Sequence, residues 1–177
     1  MVLGLTLFSH QKVPLQKEIQ MVRPMDGLLR AIALPNTQNI HFLDVENLLG
    51  TGLFQEWEVQ KLGREYVSKV GANSDDLYFI AAGPQNRDSV VLGWSWGNSF
   101  FQFPKGKDGA DMALVTLFEA IQEPEYYRNI YVGSGDFLLS QITHKATLRN
   151  IPVTVVTGKG AQSKTLKGYK TIQLGGI

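Results

Sequence analysis

A short apolar run that stops at acidic residues lies near the start of the second quarter of this 177-residue chain. Residues 40–43 are apolar apart from His41 and lead directly into Asp44, with Glu46 and Asn47 following before a glycine. An apolar run of this length is typical of a buried strand, and in an open α/β sheet ligands bind beyond the carboxyl ends of the strands. The run therefore predicts a strand that delivers Asp44 to a binding edge, although an Asp at this position also commonly caps a turn.

Strand-like and helix-like segments alternate along the rest of the chain. Apolar residues recur at helical spacing over residues 54–70, and Gly71 stands where a helix C-terminus would be. Further strands are predicted at 77–83, 99–104, 129–132, 151–156 and 171–174, and further helices at 86–96, 110–122, 137–148 and 163–167. Alternating strands and helices form a parallel sheet through right-handed crossovers. We expect a Rossmann-like three-layer α/β/α fold with a mostly parallel sheet.

The composition is that of an ordinary globular protein with one core. Hydrophobic residues make up 44% of the chain and charged residues 19%, so one domain is the simplest expectation. We assign residues 39–177 to this domain and residues 1–38 to an N-terminal extension whose structure the sequence pattern does not define. No apolar run approaches the roughly 20 residues of a membrane span, and no signal peptide is recognisable. We therefore expect a cytoplasmic protein with no membrane partner.

Carboxylates follow or open the predicted elements at three separate points. Asp44 follows the first strand, Asp111 lies in the first turn of the helix at 110–122, and Asp136 follows the strand at 129–132. The chain has no cysteine, so a metal ion would be bound by oxygen or imidazole. Oxygen ligands suit Mg²⁺ or Mn²⁺. The pattern is compatible with such a site, although Asp111 in a first turn also simply favours the helix dipole.

Three motifs, in this order on an α/β pattern, resemble the NYN domains, a branch of the PIN-like ribonucleases. The motifs lie at residues 43–47, 107–114 and 132–137, and the resemblance covers roughly residues 39–174. It implies a metal-dependent endoribonuclease that hydrolyses RNA phosphodiester bonds through Mg²⁺ or Mn²⁺. It also implies an active site in which the metal ligands are Asp44, Asp111 and Asp136, and in which water, phosphate or ligand is oriented by Asn47 and Ser134.

Basic residues near these motifs predict an RNA-binding rim. The net charge of +1 is uninformative, but residues 137–177 contain no Asp or Glu. The side chains that we expect to neutralise the phosphates of a single-stranded RNA are Lys105, Lys107, Arg149, Lys159 and Lys164. A solvated loop is the commoner place for any one lysine. We expect single-stranded RNA as the partner, and a homodimer is one oligomeric state that we consider.

The acidic set is smaller than in the best-known members of the family. Many members have a second Asp two residues after the position of Asp136, whereas here Phe137 follows Asp136 directly. Leu117 stands where many members carry a further Asp, and Asp108 or Glu46 is a candidate substitute for these missing acids. The alternative is therefore a catalytically weak or inactive NYN-fold module that binds nucleic acid or protein. A phosphatase of the haloacid-dehalogenase kind is disfavoured because Glu46 replaces the second Asp of its motif.

Two other polar features are interpreted as structural. Asp75 and Asp76 precede the strand at 77–83, at the end opposite to the expected active site, and are interpreted as turn residues. His41 lies in the first strand without a motif partner. We expect it to be a packing or surface residue and not a general base.

Overall fold

The computed structural model describes residues 38–121, 124–160 and 162–175. The predicted N-terminal extension lies outside the described residues except for Gln38, as does Gln122 at the predicted end of a helix. Within the described part, no helix is both long and apolar enough to cross a membrane. Apart from Gln38, all the described residues belong to the predicted domain.

The described residues contain one sheet of six parallel strands. The strands are β1 Asn39–Asp44, β2 Leu77–Ala81, β3 Asn98–Gln102, β4 Asn129–Gly133, β5 Val153–Thr157 and β6 Lys170–Gln173. Their order across the sheet is β3-β2-β1-β4-β5-β6, and every neighbouring pair is parallel. This is the doubly wound order of Rossmann-like folds. The predicted fold class is confirmed, and the sheet is wholly parallel where a mostly parallel one was expected.

Helices cover both faces of the sheet. In the described part the α-helices are α1 Val45–Leu49, α2 Glu56–Val70, α3 Arg87–Gly93, α4 Gly109–Ala120 and α5 Ser140–Leu148. Short 3-10 helices occur at Pro84–Asn86, Pro124–Tyr126 and Lys164–Leu166. One core joins the sheet to α4 and α5, with Phe42, Phe79, Phe118 and Ile142 among its members. The other joins the opposite face to α1, α2 and α3, with Leu43, Ile80, Leu48, Leu62, Tyr66 and Val90 among its members.

Helix α4 is the buried element that the sequence predicted. Leu114, Val115, Leu117 and Phe118 pack against the sheet, while Met112 is exposed. Burying each large apolar side chain contributes about 1.5–3 kcal/mol, so this helix is held firmly in place. Its first turn therefore sits at a well-defined position over the sheet.

Helix α1 was not predicted from the sequence. It has five residues, which is too short to show a 3.6-residue period. The Asp44 side chain caps its N-terminus, and Gly50 ends it in the left-handed region with φ of 71°. This short helix turns the chain sharply away from the end of β1.

Two predicted helices are shorter than expected. Helix α5 begins at Ser140 and not at 137, because the preceding residues form turns in which Ser140 N–H donates to the Phe137 carbonyl. Helix α3 ends at Gly93, where an extended Trp94 follows it. In both cases residues that the apolar pattern assigned to the helix form turns or extended backbone at one of its ends.

Candidate active site

The carboxyl ends of β1 and β4 mark the topological switch point of the sheet. Both neighbours of β1 are parallel to it, and the chain leaves β1 toward β2 but returns to the other side of β1 through β4. Asp44 is the last residue of β1 and lies in register with Ala81 of β2. Since loops on the two sides of a switch point diverge to opposite faces, a binding crevice is expected there. Asp44 lies at this crevice.

A pair of buried carboxyl groups forms the centre of the site. Asp111, from the first turn of α4, lies in hydrogen-bonding contact with Asp44, and the two residues are 7% and 5% exposed. Asp44 Oδ1 also accepts the Asn47 backbone N–H at 3.2 Å. Asp111 Oδ1 is buried and has no hydrogen-bond partner among the described residues. A buried carboxylate oxygen without a partner is costly unless something binds it.

Both carboxyl groups have raised pKa values. Burial raises the pKa of Asp44 to about 8, with a further contribution from the Asp111 charge. Burial, followed by the Asp136 charge, raises the pKa of Asp111 to about 6. Without a cation, a proton is therefore favoured on this pair at neutral pH, chiefly on Asp44. The pair holds one proton in a place where a cation would compete for the same oxygens.

The loop after β4 brings Asp136 toward this pair. Asp136 N–H donates to Ser134 Oγ at 3.0 Å, and Leu138 N–H donates to Asp136 Oδ1 at 2.8 Å. Gly135 N–H donates to Asn47 Oδ1 at 2.6 Å, which ties the loop to α1. Ser134 is fully buried. Here Asn47 and Ser134 hold the Asp136 loop in place, and a direct contact of Asn47 with substrate would use its amide NH₂.

The three predicted metal ligands are not assembled equally. Among the described residues, no three carboxylate or imidazole side chains are close enough together to form a ready-made metal site. Asp136 acts on Asp111 through its charge, while one of its oxygens is bound within its own loop. The pair of Asp44 and Asp111 nevertheless fits Mg²⁺ or Mn²⁺, because such an ion is commonly held by one or two carboxylates, several waters and a substrate phosphate.

Glu46 is a fourth carboxylate beside the pair. Its charge raises the pKa of both Asp44 and Asp111. Its Oε1 accepts hydrogen bonds from Gly83 N–H at 3.0 Å, Gln85 Nε2 at 3.0 Å and Asn86 Nδ2 at 2.7 Å. None of these three donors was predicted from the sequence. The available clue was that they follow β2 at the same edge of the sheet as Asp44.

Four of the five predicted phosphate-binding residues lie at the same edge as the acids. Lys105 and Lys107 are exposed in the loop after β3, and Lys159 and Lys164 are exposed after β5. Arg149 lies just after α5 and before β5, at the opposite edge of the sheet. It is therefore not brought to the crevice, because α5 runs antiparallel to the strands and ends at their amino ends.

The position of Lys159 depends on two glycines. Lys159 N–H donates to the Leu48 carbonyl at 3.0 Å, and Gly160 N–H donates to the Asn47 carbonyl at 3.0 Å. A Cβ at Gly158 would lie 1.9 Å from the Leu48 oxygen, and one at Gly160 would lie 2.4 Å from the Asn47 oxygen. Only glycine permits this approach, so the loop sits directly on α1 and places Lys159 beside Asn47.

Comparisons with protein-family models, curated proteins and solved structures found no match to this chain. The fold and the residues of the crevice must therefore support any function by themselves. Proteins with this strand order often bind dinucleotides through a glycine-rich turn after β1. Here that turn carries Asp44 and Glu46 and lies beside Asp111, and the negative charge of Glu46 and Asp111 repels a pyrophosphate. The crevice suits a cation better than a bare phosphate group.

Proposed function

We propose that this protein is a Mg²⁺- or Mn²⁺-dependent ribonuclease that resembles the NYN branch of the PIN-like nucleases. The observation that carries the proposal is the buried, unpartnered Asp111 Oδ1 beside Asp44 at the switch point of a parallel sheet. Asp136 and Glu46 add negative charge to the same place. A site with this much buried negative charge is stabilised by a cation and requires one to approach a phosphodiester.

The proposed roles follow from the geometry of each residue. Asp44 and Asp111 would hold the cation, and Asp44 would be deprotonated in that state. Asp136 orients a water in the crevice, and its orientation depends on Ser134 Oγ and Asn47 Oδ1, which fix its loop. A bound Mg²⁺ or Mn²⁺ lowers the pKa of water and stabilises charge on a phosphate. The water oxygen loses a proton and bonds to phosphorus, and the bridging P–O bond breaks as the leaving oxygen takes up a proton, leaving one phosphate end and one hydroxyl end.

RNA is the proposed substrate because exposed lysines surround the acids. Lys105 and Lys107 flank the crevice on the β3 side, and Lys159 and Lys164 flank it on the β5 side. Lysines on both sides of a carboxylate centre can neutralise successive phosphates of one strand. A cytoplasmic location, as expected from the sequence, is part of this proposal because RNA is present there.

Cleavage of labelled single-stranded RNA tests the function directly. We expect purified wild-type protein to cleave such RNA with Mn²⁺ and to lose the activity in EDTA. Asp44→Asn keeps the cap and the shape of the side chain but removes the charge, so we expect cleavage to fall by a factor of about 10²–10⁴ while circular dichroism stays unchanged. The matched control is Asp75→Asn, an exposed Asp at the opposite edge of the sheet.

Two results would overturn the ribonuclease proposal. Cleavage that persists in EDTA would show that the activity does not depend on a divalent ion. Cleavage that is equal in wild type and Asp44→Asn would show that Asp44 serves only as the cap of α1. In either case the crevice would not be the active centre that its geometry suggests.

A second candidate is a module that keeps the fold and binds nucleic acid or protein with little or no catalysis. The observation in its favour is that no three ligating side chains form a ready-made metal site among the described residues. It predicts RNA binding that is equal with and without Mn²⁺, together with no product in the cleavage assay. Calorimetric titration with Mn²⁺ separates the two candidates. The ribonuclease should bind Mn²⁺, and Asp44→Asn should lose that binding, whereas the module without catalysis need not bind Mn²⁺ at all.

A further inference from the structure

Phe137 is a large apolar side chain that stands in solvent next to the acidic centre. It is 59% exposed and directly follows Asp136, whereas Leu139 two residues later is fully buried in the core. An exposed Phe gains nothing from the core and loses hydrophobic stabilisation where it stands. A single exposed apolar residue is not unusual, and what distinguishes Phe137 is how its backbone is held and what surrounds it.

The backbone around Phe137 is fixed on both sides. Before it, Asp136 N–H is bound by Ser134 Oγ at 3.0 Å. After it, Leu138 N–H donates to Asp136 Oδ1 at 2.8 Å, and Ser140 N–H donates to the Phe137 carbonyl at 3.0 Å. The ring is therefore carried on a segment with little freedom to fold inward. Because the backbone is already held, only the rotation of the side chain is lost when a flat partner stacks on the ring.

The surroundings of Phe137 are suited to a nucleic-acid strand. The loop that carries Phe137 borders the acidic pair, since Asp136 acts electrostatically on Asp111. The same loop is joined to the 3-10 helix that carries the exposed Lys164, because Ser163 N–H donates to the Gly135 carbonyl at 2.7 Å. Phe137 thus lies in a loop that has both a site for the reacting phosphate and a cation for a neighbouring phosphate close by.

We propose that Phe137 stacks on a base of single-stranded RNA next to the phosphate that is cleaved. This inference deepens the proposed function and rests on it for the identity of the ligand. A base in a duplex is stacked on its neighbours and cannot present its face to the ring, whereas an unpaired base can. Phe137 therefore selects unpaired RNA, and Lys164 neutralises the phosphate on the far side of the stacked base.

Binding in EDTA tests the stacking without any contribution from cleavage. Several copies of one short single-stranded RNA are prepared, and each copy carries 2-aminopurine at a different position. Each copy is titrated with full-length protein at low salt. We expect wild type to quench the fluorescence at one position more than at the others. Phe137→Ala should lose that quenching and bind about 10- to 100-fold more weakly, as expected for the loss of one base-aromatic stack. Phe137→Tyr should restore both properties.

The control variant is Leu148→Ala. Leu148 is 70% exposed, but it ends α5 at the opposite edge of the sheet. It should bind RNA as wild type does, and a duplex of the same sequence should bind wild type and Phe137→Ala equally. A loss of RNA affinity in Leu148→Ala equal to that in Phe137→Ala would show a general effect of exposed apolar residues and would overturn the proposal.

Other outcomes also separate this inference from the proposed function. Equal RNA affinity of wild type and Phe137→Ala overturns the stacking role, even when Mn²⁺-dependent cleavage is present. Phe137-dependent quenching without any cleavage supports the stacking role and overturns the ribonuclease. A self-association that Phe137→Ala abolishes, seen by light scattering without RNA binding, would assign the ring to a protein contact and overturn the proposal.

Discussion

Two buried aspartates lie at opposite ends of β1, Asp76 beside its first residue and Asp44 as its last, and their pKa values are shifted in opposite directions. At the amino end, Asp76 accepts hydrogen bonds from Asn39 N–H at 3.0 Å, Asn39 Nδ2 at 3.1 Å and Asn73 N–H at 2.8 Å, and contacts His41 Nε2 at 3.3 Å. Burial alone would raise its pKa, but these bonds lower the pKa to about 2. At the carboxyl end, burial raises the pKa of Asp44 to about 8.

His41 completes the network at the amino end. Its ring is stacked between those of Tyr78 and Tyr131, with centroid distances of 4.4 and 4.6 Å, and its Nδ1 lies 2.9 Å from Tyr66 Oη. Burial lowers the pKa of His41, against the opposing effect of Asp76. The neutral ring therefore donates from Nε2 to Asp76 and accepts the Tyr66 hydroxyl at Nδ1. Every polar atom of this ring has a partner.

The difference shows how a folded chain separates structural acids from available ones. Asp76 is 1% exposed and Asp44 is 5% exposed, so burial does not distinguish them. What distinguishes them is the set of donors, since Asp76 has several N–H groups and Asp44 has one backbone N–H and another carboxyl group. An acid whose bonds are complete contributes to stability, and an acid whose bonds are incomplete is left for a ligand.

Removing Asp76 should have the largest effect on stability. Asp76→Ala leaves buried donors on Asn39 and His41 without an acceptor, so we expect a loss of about 3–5 kcal/mol in the free energy of unfolding. Urea denaturation measures it. The neighbouring exposed residue provides the control, and Asp75→Ala should stay within about 0.5 kcal/mol of wild type. A loss below about 1 kcal/mol for Asp76→Ala would remove the contrast between the two ends.

The pH dependence of stability should reveal Asp44. Its carboxyl has a pKa near 3.8 when unfolded and about 8 when folded, so the folded protein binds more protons between these values. Stability from this group is therefore complete below about pH 4 and is lost as the pH rises toward about 8. Without metal, we expect the unfolding free energy of wild type to fall relative to Asp44→Asn by at least about 2 kcal/mol between pH 5 and 8, since one pKa unit is about 1.4 kcal/mol.

His41 titrates in both proteins of that comparison, so its contribution cancels in the difference. A constant difference across this range would mean that the Asp44 carboxyl ionises normally in the folded protein. An unfolding free energy of wild type that instead rises relative to Asp44→Asn between pH 5 and 8 would reverse the sign and would place a stabilising partner on Asp44, as on Asp76. Either result would remove the contrast in pKa between the two ends of β1.

Metal binding should have the smallest effect and should act at one end only. At a Mn²⁺ concentration ten times Kd, we expect a stabilisation of about 1.4 kcal/mol, which raises Tm by roughly 3–6 °C in a domain of this size. Asp44→Asn should show no shift, and Asp75→Asn should shift as wild type does. Differential scanning fluorimetry with matched Mg²⁺, Mn²⁺ and EDTA samples measures this. An equal shift in Asp44→Asn would place the ion elsewhere.

Local patterns predicted the elements that carry the site. The strand that ends at Asp44 was recognised as a short, continuous apolar run bounded by polar residues, and the buried helix that begins near Asp111 was recognised because it is apolar on most sides. Such patterns depend only on residues that are close together in the chain. The five-residue α1 was missed because it is shorter than a detectable period, and α5 was extended too far because the turn at Phe137 carries apolar residues that resemble a helix.

The sequence by itself determined the alternation of strands and helices, the parallel sheet that follows from it and the presence of carboxylates after two of its strands. Only the tertiary structure decided which acids meet, because pairing depends on the order of strands and on the exact ends of helices. The fold brought Asp44 together with Asp111, which comes 67 positions later in the chain. It also bound an oxygen of Asp136 within its own loop and placed hydrogen-bond donors around Asp76. Hydrogen-bond partners that are distant in sequence leave no local pattern, and the pKa of a buried acid depends on them.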